Sequence, residues 1–271
     1  MPEPKPHRAQ GPRVKLPAGL PAALFAALFA VLCAAGAATS APSRATSHAP
    51  SPTASPAARI AERIALGREL FFESRLSGDG SRSCASCHAP DKGYADGEAL
   101  SRGYNHAGHF RNTPSLIALA SKPRLMWDGR YPAERLADVV VDMIRSPVTM
   151  NGDLQIVVER VRQLPTLLQA WQRAYGAHEA PTAEGLVDAI AAYASSRGNA
   201  ETAVDHALRG DEPALSAAAL EGMRLFQGKA GCARCHSGAA FTDGGLHRLG
   251  VPENPEILRD PERTISLLRH Y

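Results

Sequence analysis

Two copies of one five-residue pattern constrain this chain more than anything else in it: Cys84-Ala85-Ser86-Cys87-His88 and Cys232-Ala233-Arg234-Cys235-His236. C-x-x-C-H is the attachment signal of haem c. The spacing has a physical basis. Two cysteines about a turn apart reach the two vinyl groups of one porphyrin edge, and the adjacent histidine swings beneath the ring to bind iron. With 5 cysteines and 10 histidines in 271 residues, one chance match has a probability on the order of 0.003. Two other readings use the same residues: a zinc site on four thiolates, or two short disulfides. Zinc requires thiolates kept reduced, whereas the amino-terminal segment described below points to an oxidising compartment. A two-residue disulfide loop closed by His and then repeated has no structural purpose that we can name. The pattern therefore predicts two covalent haem c groups, one on Cys84, Cys87 and His88 and one on Cys232, Cys235 and His236. The two histidines are the expected iron ligands.

The flanking residues repeat as well. Gly67-Arg68-Glu69-Leu70-Phe71 precedes the first motif and Gly222-Met223-Arg224-Leu225-Phe226 precedes the second. Tyr94-Ala95-Asp96-Gly97 follows the first, and Phe241-Thr242-Asp243-Gly244 follows the second. Each copy reads as helix, haem loop, then aromatic-x-Asp-Gly, which is a duplicated module with one haem per copy.

Residues 1–41 have a different character. Lys5, Arg8, Arg13 and Lys15 form a basic start, an apolar run follows from Leu20 to about Ala38, and Ala35-Gly36-Ala37 is a small-x-small cleavage site. This predicts a signal peptide and a periplasmic product that lacks Cys33. The competing reading is an uncleaved anchor, since the run is just long enough to span a bilayer. Bulky Leu32 before Cys33 argues against a lipoprotein. Residues 42–58 are small, Pro-rich and aperiodic, and read as a low-complexity linker. Four of the 30 basic and one of the 27 acidic residues lie before residue 38, so the remainder is balanced in charge. Nothing in that balance points to nucleic acid.

The rest reads as helix. Ile60, Ile64 and Leu70 share a stripe, and Pro132 opens a segment with Leu136, Val139, Val140, Met143 and Ile144 on one face. Leu168, Trp171 and Tyr175 follow Pro165, and Leu186, Ile190 and Tyr193 follow Pro181. Ser216 is placed as an N-cap, with Leu215 and Leu220 as its hydrophobic staple. No alternating strand of useful length occurs. The expected fold is all-α, with two cytochrome c-like haem domains in tandem at residues 59–165 and 166–271.

LGRELFFESRLSGDGSRSCASCHAPDKGYADG resembles the opening of bacterial dihaem cytochrome c peroxidases and their MauG-type relatives. RNTPSL at 111–116, MWDGR at 126–130 and CARCHSGAAFTDGG at 232–245 continue the resemblance in order, over roughly residues 60–271. It implies reduction of hydrogen peroxide to water at a first, peroxidatic haem. Electrons would enter at the second haem from a small periplasmic donor, a cytochrome c or a cupredoxin. It further implies Trp127 as a relay between the haems, Asn112 as ligand of an interdomain calcium ion, and a homodimer. Without the resemblance, Trp127 reads as a core indole and Asn112 as a turn cap before Thr113-Pro114. Two other functions fit the same scaffold: a dihaem electron carrier without peroxidase activity, and MauG-type oxidation of a protein substrate. The long helical insert between the motifs favours an enzyme over a carrier.

Three departures from the resemblance stand out. Ala137 occupies the position ten residues past the tryptophan, where the family usually has Gln. Thr149 stands where the family has a distal Glu before a Met. Asp142 and Glu134 lie nearby and read as solvated helix residues. Tyr104 stands where some members place a distal His on the first haem, flanked by His106 and His109, which read as loop histidines. The third departure is the carboxyl end. Only 36 residues follow Cys235, so the second haem domain is expected to be incomplete and to lack its distal ligand, although Met150, Met223, His247 and His270 offer donor atoms.

Overall fold

The computed structural model describes residues 55–198, 201–211, 215–238, 240–252 and 254–270. The expected signal peptide and most of the expected linker lie outside the described residues. Nine helices are described: α1 (Pro56–Phe72), α2 (Leu136–Arg145), α3 (Leu154–Gln163), α4 (Pro165–Tyr175), α5 (Ala183–Ser195), α6 (Ala203–Arg209), α7 (Ala217–Gln227), α8 (Pro255–Arg259) and α9 (Pro261–His270). The only sheet among the described residues is an antiparallel pair, β1 (Arg124–Leu125) and β2 (Tyr131–Pro132), in which Leu125 faces Tyr131. The all-helical expectation therefore holds in substance. No described helix is long and apolar enough to cross a membrane.

Caps account for most helix starts. Ser55 Oγ accepts from the Ala58 amide at 3.2 Å and Pro56 supplies a preset first turn, so α1 begins inside the stretch expected to be linker. Asp153 accepts from the Gln155 and Ile156 amides at 2.8 and 3.0 Å and starts α3. We did not anticipate α3, although Leu154, Val157, Val158 and Val161 carry a helical spacing and are all buried. Ser216 caps α7 as expected. Its staple partner Leu220 is exposed, however, and no residue of α7 is buried.

One core gathers α1 to α5. Leu66 and Leu70 of α1 meet Val140 and Ile144 of α2, Val157 and Val161 of α3, Trp171 of α4, and Leu186 and Ile190 of α5. The buried face of α1 is centred on Leu66, Gly67 and Leu70, and Ile60 is exposed, contrary to the expected stripe. The reason lies at Gly67. A Cβ there would stand 1.9 Å from the Ala189 carbonyl oxygen and 2.9 Å from Tyr193 Cβ, so the two helices touch through backbone. Helices α4 and α5 begin at Pro165 and Ala183, yet both pack on α1.

A second structural device holds the loop after the first C-x-x-C-H motif. Asp96 is buried and accepts from Thr113 Oγ1 at 2.8 Å and from the Glu98 amide at 3.0 Å, while Ser101 Oγ and Thr113 Oγ1 lie 2.7 Å apart. Burial pushes the Asp96 carboxyl up, but the bonds from Ser101, Glu98 and Thr113 outweigh it and hold the group below its usual 3.8. That stabilisation is present above the usual value and is lost as pH falls through the lower, folded one.

Two outcomes follow. Gly67→Ala should lower stability by about 1–3 kcal/mol or more, because the backbone carbonyl it meets cannot turn aside. Its counterpart in the repeat, Gly222, has nothing within 4 Å of a new Cβ, so Gly222→Ala should stabilise by up to about 1 kcal/mol. Thermal melts showing the same sign for both would contradict the packing described. Asp96→Asn should melt earlier at neutral pH and lose much of the parent's further drop in melting temperature between about pH 5 and pH 2. An acid limb unchanged by the substitution would show that Asp96 does not hold this loop.

Candidate functional site

Cys84–Ser86 forms a 3-10 turn, opened by the Ser83 amide donating to Ser86 Oγ at 3.0 Å. The amides of Cys87 and His88 both return to the Cys84 carbonyl, at 3.2 and 2.9 Å. The chain then turns through Gly93 and Tyr94, both left-handed, with φ 65° and 57°. This conformation is uncommon for an aromatic residue. Its consequence is chemical: the Tyr94 carbonyl comes to lie 2.9 Å from His88 Nδ1 and accepts its proton. The lone pair is then on Nε2, the arrangement that orients a histidine as an iron ligand. Burial holds the His88 imidazole below its usual range, against the upward pull of Tyr94 and Asp96, which favours the neutral, ligating form.

The second copy repeats this geometry. The His236 amide returns to the Cys232 carbonyl at 2.9 Å, and His236 Nδ1 lies 3.2 Å from the carbonyl of Phe241, itself left-handed at φ 51°. Phe71 packs 6.5 Å from the His88 ring at 46°, and Phe226 packs 6.4 Å from the His236 ring at 48°. The aromatic of aromatic-x-Asp-Gly thus earns its place through its backbone oxygen.

The surroundings of the two loops differ. The first opens into a cavity of about 520 Å³, in the size range of ligand sites. Cys84, Cys87 and His88 form one part of its wall. Phe110, Asn112, Trp127, Val139, Met143, Met150, Ile190 and Ala194 form others. Burial pushes the Cys84 thiol up to about 12 and raises Cys87 as well. Ser266 of α9 is buried on the cavity wall and its Oγ has no hydrogen-bond partner among the described residues. A polar edge of a bound group would satisfy it. An apolar cavity with two thiols, one oriented imidazole and one orphaned hydroxyl fits a covalently held haem.

The structure sorts the other candidates. Trp127 lies on the cavity wall and is 58% exposed, so it is not a core indole, and its Nε1 donates to the Asn112 carbonyl at 2.8 Å. Asn112 donates its side-chain amide to the Glu98 carbonyl at 2.5 Å. Of the three distal candidates only His109 lines the cavity, with its ring stacked 4.8 Å from that of Phe110. His106 instead lies 3.2 Å from an Arg82 guanidinium nitrogen, and Tyr104 is also off the cavity wall. Thr149 Oγ1 bonds to the Met143 carbonyl at 2.5 Å. Ala137 and Glu134 are exposed, away from the cavity. Asp142 stays partly exposed on α2, as expected, and in addition lines the cavity and pairs with Arg130. Ser266 and this pairing were missed because both depend on contacts between distant segments.

Near the second loop, Cys235, Asp243 and His247 place possible ligand atoms within 4.8 Å of one another. A haem thioether at Cys235 would remove one of the three donors. Met223 sits in α7, and the side chain of His270 lies outside the described residues.

Comparison with known proteins identifies a family. The family described as "Di-haem cytochrome c peroxidase" matches residues 61–213. The chain is 41% identical over 208 residues to the cytochrome-c peroxidase IdrP2 of Denitromonas iodatirespirans, covering 76% of this chain and 56% of that one. It is 37% identical over 199 residues to the methylamine utilization protein MauG of Methylorubrum extorquens, covering 72% and 55%. Among solved structures, a MauG-like protein associated with microbial copper homeostasis matches with a TM-score of 0.62 at 27% identity, over 70% of this chain and 57% of that one. The chain spans a little over half the length of the curated relatives it matches. With the match running from α1 past α5 and through the first haem loop, the chain belongs to the di-haem cytochrome c peroxidase family.

Proposed function

We propose that this chain carries two haem c groups and reduces hydrogen peroxide to water with electrons from a small redox protein. The observation that carries this reading is the repeated loop in which a C-x-x-C-H histidine gives its Nδ1 proton to a backbone carbonyl, with the first copy facing a cavity. Cys84, Cys87 and His88 would hold the first haem, and Cys232, Cys235 and His236 the second. Bound there, the haem iron supplies a binding position for peroxide and the capacity to pass electrons. The chain's own residues do the rest. The Tyr94 and Phe241 carbonyls keep each imidazole in its ligating tautomer. The apolar cavity wall restricts water around the first haem.

Trp127 is the proposed relay. It lines the first cavity, its indole N–H is held by the Asn112 carbonyl, and its exposed edge is open to a second redox centre. Asn112 is the proposed calcium residue. Arranged in tandem, the first haem module would comprise α1 to α5 and the second would begin with α7. Periplasmic export through residues 1–41, a cytochrome c or cupredoxin donor, and a homodimer complete the proposal.

Intact mass of the mature protein should show two haem additions, and Cys84→Ala or Cys232→Ala should weaken attachment at one site only. A single addition in the parent would remove the two-site reading. With a reduced cytochrome as donor, the parent should consume peroxide and His88→Ala should not. Trp127→Phe should keep both haems and slow turnover roughly tenfold or more, equivalent to about 1.4 kcal/mol at the electron-transfer step. Turnover at the parental rate in that variant would exclude the relay.

A further inference from the structure

The cavity wall holds a charged constellation that neither the haem loops nor the relay uses. Asp142 lies on α2 beside Met143, and its Oδ2 accepts from Arg130 Nη2 at 2.9 Å and from the Tyr131 hydroxyl at 3.3 Å. Arg130 also reaches Asp128 Oδ2 at 3.5 Å, and its guanidinium carbon lies 5.3 Å from the centre of the Tyr131 ring. Asp128, Arg130 and Asp142 all line the cavity that contains His88. The turn between β1 and β2 therefore grips a carboxylate presented by a different element, α2. Both of these donors meet the same oxygen, which leaves Oδ1 outside the two bonds.

Peroxide reduction needs such a group. One oxygen must give up a proton and the other must receive it before it can leave as water, and a positioned carboxylate does both. Thr149, at the position of the family's glutamate, has no comparable basicity, and its hydroxyl bonds to the Met143 carbonyl. Glu134 is exposed and off the cavity. His109 accepts from the Arg111 amide at 3.0 Å through Nδ1. Asp128 accepts from the Arg130 amide at 3.3 Å within its own turn, whereas Asp142 stands on a helix, a more precise support for a site than a loop.

We propose that Asp142, held by Arg130 and Tyr131, is the proton acceptor and donor for hydrogen peroxide in this cavity. The proposal rests on the peroxidase reading above. Asp142 takes the proton of one peroxide oxygen and delivers it to the other. As the O–O bond breaks, that second oxygen departs as water with both original protons. The remaining oxygen becomes the second water after uptake of two electrons from the reduced redox protein and two protons from solvent. Arg130 and Tyr131 are positioning residues, since they act through the carboxylate.

Cyanide tests the base without turnover, because hydrogen cyanide must lose its proton to bind ferric haem. The haem-loaded full chain and its variants are mixed with cyanide, and separately with peroxide, in a stopped-flow spectrophotometer. Asp142→Asn should slow both reactions by about 10²–10⁴-fold, and Asp142→Glu should restore them to within about tenfold of the parent. Arg130→Gln and Tyr131→Phe should each slow them by a smaller factor, roughly threefold to tenfold. Parental cyanide association in Asp142→Asn overturns the proposal. If that variant takes up no haem, parental rates in both Arg130→Gln and Tyr131→Phe overturn it instead. A parent that consumes no peroxide, yet whose cyanide association depends on Asp142, would defeat the peroxidase reading and leave Asp142 as the cavity's base.

Discussion

Because Gly67 has no side chain, the backbone of α1 lies directly against the Ala189 carbonyl of α5, and the arrangement around His88 follows from that contact. The crossing brings Phe71 of α1 within 5.0 Å of the Tyr193 ring on α5, and Phe71 in turn packs on His88 and Tyr94. Tyr94 is held from its far side as well: its hydroxyl lies 3.2 Å from that of Tyr193 and accepts from Arg197 at 3.3 Å. A residue in a left-handed conformation persists where its surroundings over-determine it. Here those surroundings are a packed aromatic group, and what they secure is the carbonyl that orients the first histidine.

The duplication separates what a short segment encodes from what a fold adds. Both haem loops close in the same way, with matching ring distances and the same return of the histidine amide to the first cysteine. These bonds span only a few residues, so each copy carries the information for its own loop. The cavity is another matter. Around the first loop it draws on α1, α2, α5 and α9 and on the segment from residue 101 to 116. Around the second, α7 has no buried residue, and Leu220, Leu225, Phe241 and Leu246 are exposed among the described residues. Burial rather than loop geometry distinguishes the two sites.

Acid–base groups are distributed in a way that a family pattern would not suggest. The position of the expected glutamate is Thr149, which bonds back to the end of α2 and so belongs to the helix terminus as much as to the cavity. A carboxylate nevertheless reaches the wall from within α2, restrained by Arg130 of the β1–β2 turn and Tyr131 of β2. Electrostatic function at a site depends on where a charge sits and what holds it, and both can shift along the chain while the cavity keeps its shape.

The sequence by itself determined the helical class, the two attachment loops, the repeat and the starts of α4 and α7. Each of these is local: a cap and its amides, a C-x-x-C-H turn, or a 3.6-residue stripe lies within a few residues of chain. It misjudged Ile60, and it overlooked α3, Ser266 and the pairing of Asp142 with Arg130. Ile60 is exposed because the contact with α5 is centred about two turns further on, at Gly67. That Trp127 and Asp142 line one cavity became visible only with the β1–β2 turn set against α2. Ser266 reaches the first cavity from a helix more than 170 residues beyond His88 in the chain. Only the tertiary structure decided these, because burial and charge pairing are properties of surfaces that meet through packing, and short-range pattern carries no record of which surfaces meet.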